Sequence, residues 1–336
     1  MSIKEVTSVF DGLRERQQAL GTAVRTEVDL ICADEPALHR AVVRLLEIDG
    51  SAVSPFRLLP FPLLGALTGN PDPALPVCVL SRIWWAGAEA LDDLMDGQFD
   101  AETAGLAASQ VTVASTACIT LLPQELIARQ RFPAAAETAW THELTRATMR
   151  AAEGQLGDVA GSGKGPTWKN VMVGYAGKSG AAYARDAAMT ARLADTETEH
   201  LNGWRSFGRL FGVLRQLAND RAAHSAAQDT DLANGTWTLL LAHAAEFLPL
   251  AESRKLLDTY ARAGHDLDVR QSVWSLLRRP DLANAYDQRM AILHGRLSVL
   301  LEKLAAPSRD RDLIQWMINV SADKAKLNVD GGSTLS

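Results

Sequence analysis

Nowhere along this chain do apolar and polar residues settle into the alternation of a half-buried strand. Ala, Leu, Arg and Glu dominate, and β-branched and aromatic runs are few, so the chain reads as all-α. Breakers at residues 49–55, 69–76, 97–100, 161–166 and 234–235 leave long helical segments between them. Thr167, following Pro166, is placed to cap a helix running to about Ala194. Residues 328–336 hold Gly-Gly-Ser-Thr and read as a frayed, disordered tail. No composition shift or flexible linker divides the rest, which predicts one helical domain over residues 1–327.

The longest uncharged stretch, 103–124, is long enough to raise the membrane question. It carries Ser109, Gln110, Thr112, Ser115, Thr116 and Thr120, which are costly in lipid, so it reads as a buried core helix and no membrane span is expected. Charged residues near the start (Lys4, Glu5, Asp11, Arg14) leave no apolar core for a signal peptide. Cys32, Cys78 and Cys118 have neither metal-ligand spacing nor an even-numbered framework, and read as reduced thiols of a cytoplasmic protein. The formal net charge of −6 gives no general attraction to nucleic acid or anionic lipid.

Against that charge, one cluster stands out. Asp92, Asp93 and Asp96 close an apolar helical stretch, and three- and four-residue spacings put all three carboxylates toward one side. Such a cluster repels itself unless a cation or water screens it. Oxygen-only ligands favour a hard ion, and Mg²⁺ characteristically joins protein carboxylates to substrate phosphates. The segment Gly161-Ser162-Gly163-Lys164-Gly165 looks like a phosphate loop but fails the G-x-x-x-x-G-K-[ST] spacing and follows no strand.

Four further elements follow the aspartates in order. They are Gly154-Gln155-Leu156-Gly157-Asp158, Gly177-Lys178-Ser179-Gly180, Gln216-Leu217-Ala218-Asn219-Asp220 (preceded by Phe207-Gly208 and Phe211-Gly212), and Asp231 to Leu239 leading to Ala242-His243-Ala244. In this order and spacing the chain resembles the trans-isoprenyl diphosphate synthase (polyprenyl synthetase) superfamily over about residues 40–245. The resemblance implies an isoprenoid synthase fold, a bundle of long helices around a central cavity with two acid-bearing helices at its mouth. It implies three Mg²⁺ ions bridging those helices to an allylic prenyl diphosphate, and a homodimer. Asp92 and Asp96 would be ligands on one wall with Asp93 supporting them; Asn219 and Asp220, with Gln216 a turn earlier, would form the other. Lys178 would contact the diphosphate, and Gln155 lies in the same ordered set. The chemistry is coherent, because breaking an allylic C–O bond puts charge on diphosphate, which metal and lysine stabilise.

The chain departs from the family where elongating members bind isopentenyl diphosphate. In Ser54-Pro55-Phe56-Arg57-Leu58-Leu59-Pro60, Phe56 and Leu59 stand where Lys and Arg are expected, and only Arg57 is basic. After the first motif, Ala101 and Glu102 replace an Arg pair, and a second diphosphate facing Glu102 would be repelled. The second motif is also eroded, with Ala223 replacing its last aspartate; Ala223 and Ala227 fail the Asn-Ser-Glu pattern of terpene cyclases as well. Ala88 and Trp85 lie one and two turns below Asp92. Small Gly87 and Ala88 would leave room for a tail above a tryptophan floor, which predicts a C15 substrate, with C20 as the longer alternative.

These departures predict a prenyltransferase that ionises an allylic diphosphate and passes the prenyl group to a neutral, non-isopentenyl acceptor, an indole-like aromatic being one class. A class I terpene cyclase acting on farnesyl or geranylgeranyl diphosphate is the alternative. A non-catalytic partner subunit would have no use for the carboxylate cluster.

Overall fold

The computed structural model describes residues 3–48, 54–130, 134–160, 166–221 and 223–327. The glycine-lysine run at 161–165 and the tail at 328–336 lie outside them. No strand occurs among the described residues, as the absence of alternation predicts. In chain order the helices are α1 (Ile3–Ile31), α2 (Pro36–Ile48), α3 (Pro60–Thr68), α4 (Leu75–Met95), α5 (Ala101–Ala104) and α6 (Ala108–Thr116). Then come α7 (Leu122–Arg129), α8 (Ala134–Ala160), α9 (Trp168–Lys178), α10 (Gly180–Leu193), α11 (Thr198–Asp220) and α12 (Thr230–Asn234). The last are α13 (Leu239–Phe247), α14 (Leu250–Ala263), α15 (Leu267–Leu277), α16 (Pro280–Leu304) and α17 (Arg309–Ala325).

The contacts fall into two compact units, each built from separated stretches of sequence. One takes residues 1–148, 185–204 and 305–314; the other takes 149–184, 205–304 and 315–336. The boundaries fall at or inside helices, so no linker marks them in the sequence.

In the first unit, Val42, Leu45, Val77, Leu80, Ile83, Val111 and Leu126 form an apolar core. Ionic groups sit inside it. Arg185 and Asp186 are both buried and paired at 2.7 Å, and Ser81 donates to Asp186 at 2.6 Å. The Arg185 guanidinium lies 4.8 Å from the Trp84 ring centre. Burial pushes the Asp186 carboxyl up, while Arg185 and the Ser81 hydroxyl favour its charged form.

The uncharged stretch lies mostly within one such helix. Pro123 has no N–H for the carbonyl of Ile119, and the ladder loosens into a π turn over Ala117–Leu121 between α6 and α7. Ala108–Arg129 is long and apolar enough to cross a membrane, and half of its most apolar window is buried inside the protein. Gly87 is where α4 meets it, since a Cβ there would lie 2.6 Å from the Cys118 side chain and 2.8 Å from the Ser115 carbonyl. Gly87 therefore serves helix packing and does not leave room for a substrate tail. All three cysteines are free and buried, and burial, with the nearby Cys32 thiol, pushes Cys118 up to about 12.

In the second unit, Phe207, Phe211, Leu214, Leu217, Leu239, Leu241 and Met290 form the core. Thr167 caps α9 by accepting from the Asn170 amide at 3.2 Å, as predicted. The helix does not run on to 194, because the chain breaks at Ser179 and restarts as α10. Glycines set the spacing here. A Cβ on Gly154 would lie 2.7 Å from the Lys178 amide, and one on Gly212 2.7 Å from the Ser179 carbonyl and the Gly180 Cα. Only a residue without a side chain lets these backbones approach so closely.

Candidate functional site

In the first unit, Asp92 and Asp93 lie in the last turn of α4 and Asp96 is its C-cap. The backbone closes the helix end: the Asp96 amide donates to the Asp92 carbonyl, and those of Gln98 and Phe99 donate to the Asp93 carbonyl. Gly97, at φ 69°, makes that turn possible. Asp92 is half-buried, while Asp93 and Asp96 are exposed. A helix C-terminus already carries about half a negative charge, so three carboxylates there favour a bound cation twice over. Their oxygen-only chemistry and exposure fit Mg²⁺, although no three acidic, His or Cys side chains among the described residues converge as a ready-made metal cage.

Below the aspartates, Trp85, Ala88, Glu89 and Asp92 form a half-buried stripe on α4, and Trp84, Ala86, Gly87 and Ala90 between them are buried. Arg57 forms a short ion pair with Glu89, and its guanidinium lies 5.2 Å from the Trp85 ring centre. Trp84 meets Trp85 edge-on at 5.3 Å. Phe56 and Leu59, standing where basic residues were expected, are core residues at 4% and 1% exposure.

In the second unit, Lys178 ends α9 and is half-buried, a favourable place for a cation at a helix C-terminus. Next to it runs a hydrogen-bonded chain. The Ser179 hydroxyl donates to Gln216 Oε1 at 2.6 Å, Gln216 Nε2 donates to Asp220 Oδ1 at 3.0 Å, and the Tyr175 hydroxyl donates to Asp220 Oδ2. The Leu239 amide donates to the Tyr175 oxygen at 3.3 Å, tying α9, α11 and α13 together. Burial raises the Asp220 carboxyl to about 6, against the Tyr175 and Gln216 bonds and the charges of Arg221 and Lys178. Burial first, and the Asp220 charge second, keep Tyr175 protonated.

Asn219 is exposed and accepts from Arg215 at 3.3 Å. Asp220, Asp229 and Asp231 line one small crevice together with Arg221 and Arg278. Each Asn219 and Asp220 oxygen accepts one of these hydrogen bonds and keeps a second lone pair for a hard cation, while Arg221 and Arg278 bring positive charge to the same crevice. Gln155 is half-buried beside Gly154 on α8. A cavity of about 550 Å³ in this unit is lined by Arg150, Asn170, Arg209 and Trp237 among others, and none of the predicted site residues lines it.

Sequence reasoning missed Glu89 and Tyr175, and gave Ser179 no role beyond its place in the Gly177-Lys178-Ser179-Gly180 motif. Each acts through a partner 32 to 45 residues away, and nothing local to them signals it.

No family model and no curated protein matches the chain. Solved structures do. The polyprenyl synthetase of Streptomyces coelicolor A3(2) superposes with a TM-score of 0.79 at 18% identity, covering 93% of this chain and 99% of that one. The chain has the isoprenoid synthase fold. The geranylgeranyl pyrophosphate synthetase of Pyrococcus horikoshii gives 0.77 at 18% identity, over 94% and 99%. A Corynebacterium glutamicum geranylgeranyl pyrophosphate synthase, complexed with calcium and isoprenyl diphosphate, gives 0.75 at 18% identity, over 95% and 98%. This all-helical fold, reached at such low identity, is the one that the five ordered motifs imply.

Proposed function

We propose that the protein is a Mg²⁺-dependent prenyltransferase that ionises an allylic prenyl diphosphate, with a C15 tail, and passes the prenyl group to a neutral aromatic acceptor of the indole class. The diphosphate substrate is supported by the likeness to synthases solved with isoprenyl diphosphate. Asp92, Asp93 and Asp96 would hold the metal, and Lys178 would add a point charge for the diphosphate. When bound, magnesium would supply Lewis-acid stabilisation of the leaving diphosphate.

One observation carries the choice of acceptor. Arg57, the only basic residue left in the segment that binds isopentenyl diphosphate in the family, is neutralised by Glu89. Phe56 and Leu59 are core, and exposed Glu102 adds negative charge. Nothing in these segments offers a second diphosphate a net positive charge, whereas a neutral acceptor needs none.

The test is diphosphate release from farnesyl diphosphate with Mg²⁺, alone and with indole, followed by mass spectrometry of the organic products. Prenylated indole formed only when acceptor is present supports the transferase. A cyclic hydrocarbon or alcohol formed equally well without it would replace this reading with a cyclase. Asp92→Ala with Asp96→Ala should lower release by roughly 10²–10³-fold, the several kcal/mol that a metal Lewis acid contributes. Undiminished turnover in that variant would refute the metal assignment.

A further inference from the structure

Glu89 is one turn before Asp92 on α4, about 4.5 Å along the axis at 1.5 Å per residue. It belongs to the half-buried stripe that leads from Trp85 to the metal motif. Its side chain is 40% exposed, whereas that of its partner Arg57 is 14% exposed. Only one carboxylate oxygen is used: Oε1 takes the Arg57 bond, and Oε2 accepts no hydrogen bond among the described residues. Arg57 is itself fixed over the Trp85 ring, and Trp85 is fixed by the edge of Trp84. The result is a carboxylate anchored at one oxygen by Arg57, with the Arg82 charge also acting on it, and with its side chain 40% exposed.

An ion pair that served only to neutralise Arg57 would contribute little at this exposure, typically below about 1 kcal/mol. It would not need a tryptophan platform beneath it. A general base needs this construction: one oxygen anchored, the other presented to the reacting atoms. Resting on the acceptor reading above, we propose that Glu89 is the general base of the transfer and that Arg57 and Trp85 are its positioning residues. The allylic C–O bond breaks with its electron pair leaving on diphosphate, and a π pair of the acceptor forms the new C–C bond. The C–H bond at the alkylated carbon then breaks. Its electron pair restores the aromatic ring, and its proton goes to Oε2 of Glu89.

The experiment compares the wild-type full chain with Glu89→Gln, whose amide oxygen can still accept from Arg57. Both are given farnesyl diphosphate, Mg²⁺ and either indole or indole deuterated at the alkylated carbon. Prenylated indole should fall about 100-fold, at the low end of what a positioned base contributes. The ratio of diphosphate released to prenylated indole should rise at least about tenfold, because cations that cannot be deprotonated at the acceptor are lost to water. The deuterium isotope effect should rise from near 1 to above about 2, as proton loss becomes rate-limiting; a merely structural defect would not move it. Glu89→Asp, which retracts the carboxylate by one methylene, should shift the same ratio in the same direction, and guards against failure of the Gln variant to fold. If both variants match wild type in ratio and isotope effect, the base assignment is wrong and the transferase reading stands. If the wild type releases diphosphate but never prenylates indole, the acceptor reading falls and takes the base with it.

Discussion

Asp220 holds its charge at a cost. Burial lifts its carboxyl to about 6, from the roughly 3.9 of an unfolded chain. Above pH 6 the group is ionised in both states, and its desolvation opposes folding in full. As pH falls through 6 the native state takes up a proton that the unfolded state refuses until about 4. This residue's contribution to stability therefore rises across that window and is flat below it, by at most about 3 kcal/mol less whatever water screens. Urea denaturation without divalent metal should show Asp220→Asn gaining on wild type at pH 7 and losing that advantage by pH 4.5. A gap independent of pH would contradict the buried-carboxylate account.

At the scale of elements, close helix approach organises the second unit. Gly208 and Gly212 let α11 pass against the backbone at Tyr183 and at Ser179–Gly180, and the Ser179–Gln216 bond sits at the same crossing. Gly212→Ala would put a methyl group against main-chain atoms, which cannot swing away as a side-chain tip can. The expected loss is about 1–3 kcal/mol, read as a lower urea midpoint at unchanged slope. Diphosphate release should weaken with it, since Lys178 is adjacent to that crossing. What was legible in the sequence follows from range. The aspartate motif was visible because its three carboxylates are neighbours on one helical turn, and the Thr167 cap because its bond reaches only three residues ahead. The break at Ser179 was not legible, since Lys-Ser-Gly contains no proline and helix resumes at once. Nor was the Arg57–Glu89 pair, whose partners are 32 residues apart, or the role of Gly87, which depends on the helix that crosses it.

At the scale of the whole molecule, the isoprenoid synthase fold is kept while the segment 54–60 carries a single basic side chain, and the way that segment packs has consequences. Phe56 and Leu59 are not surface positions that lost a basic side chain; they are packed into the first unit with Leu58, Phe61 and Leu63. This segment is core. Reinstating the family's charges by Phe56→Lys with Leu59→Arg would not rebuild a diphosphate site. It would bury two unpaired cations beside Arg57, which already pairs with Glu89. Removing a partner from a buried ion pair costs about 3–5 kcal/mol, and inserting cations that never had partners should cost at least as much. That is a large share of the roughly 5–15 kcal/mol that holds most domains together. The double variant should therefore melt far below wild type or fail to accumulate folded, with no consumption of isopentenyl diphosphate. If instead it folds and elongates farnesyl diphosphate, the two side chains must reach an open site, and the loss of the acceptor site was a change of charge alone. Glu102→Arg is the contrasting control: it lies on exposed surface at the start of α5, so its stability change should stay within about 0.5 kcal/mol.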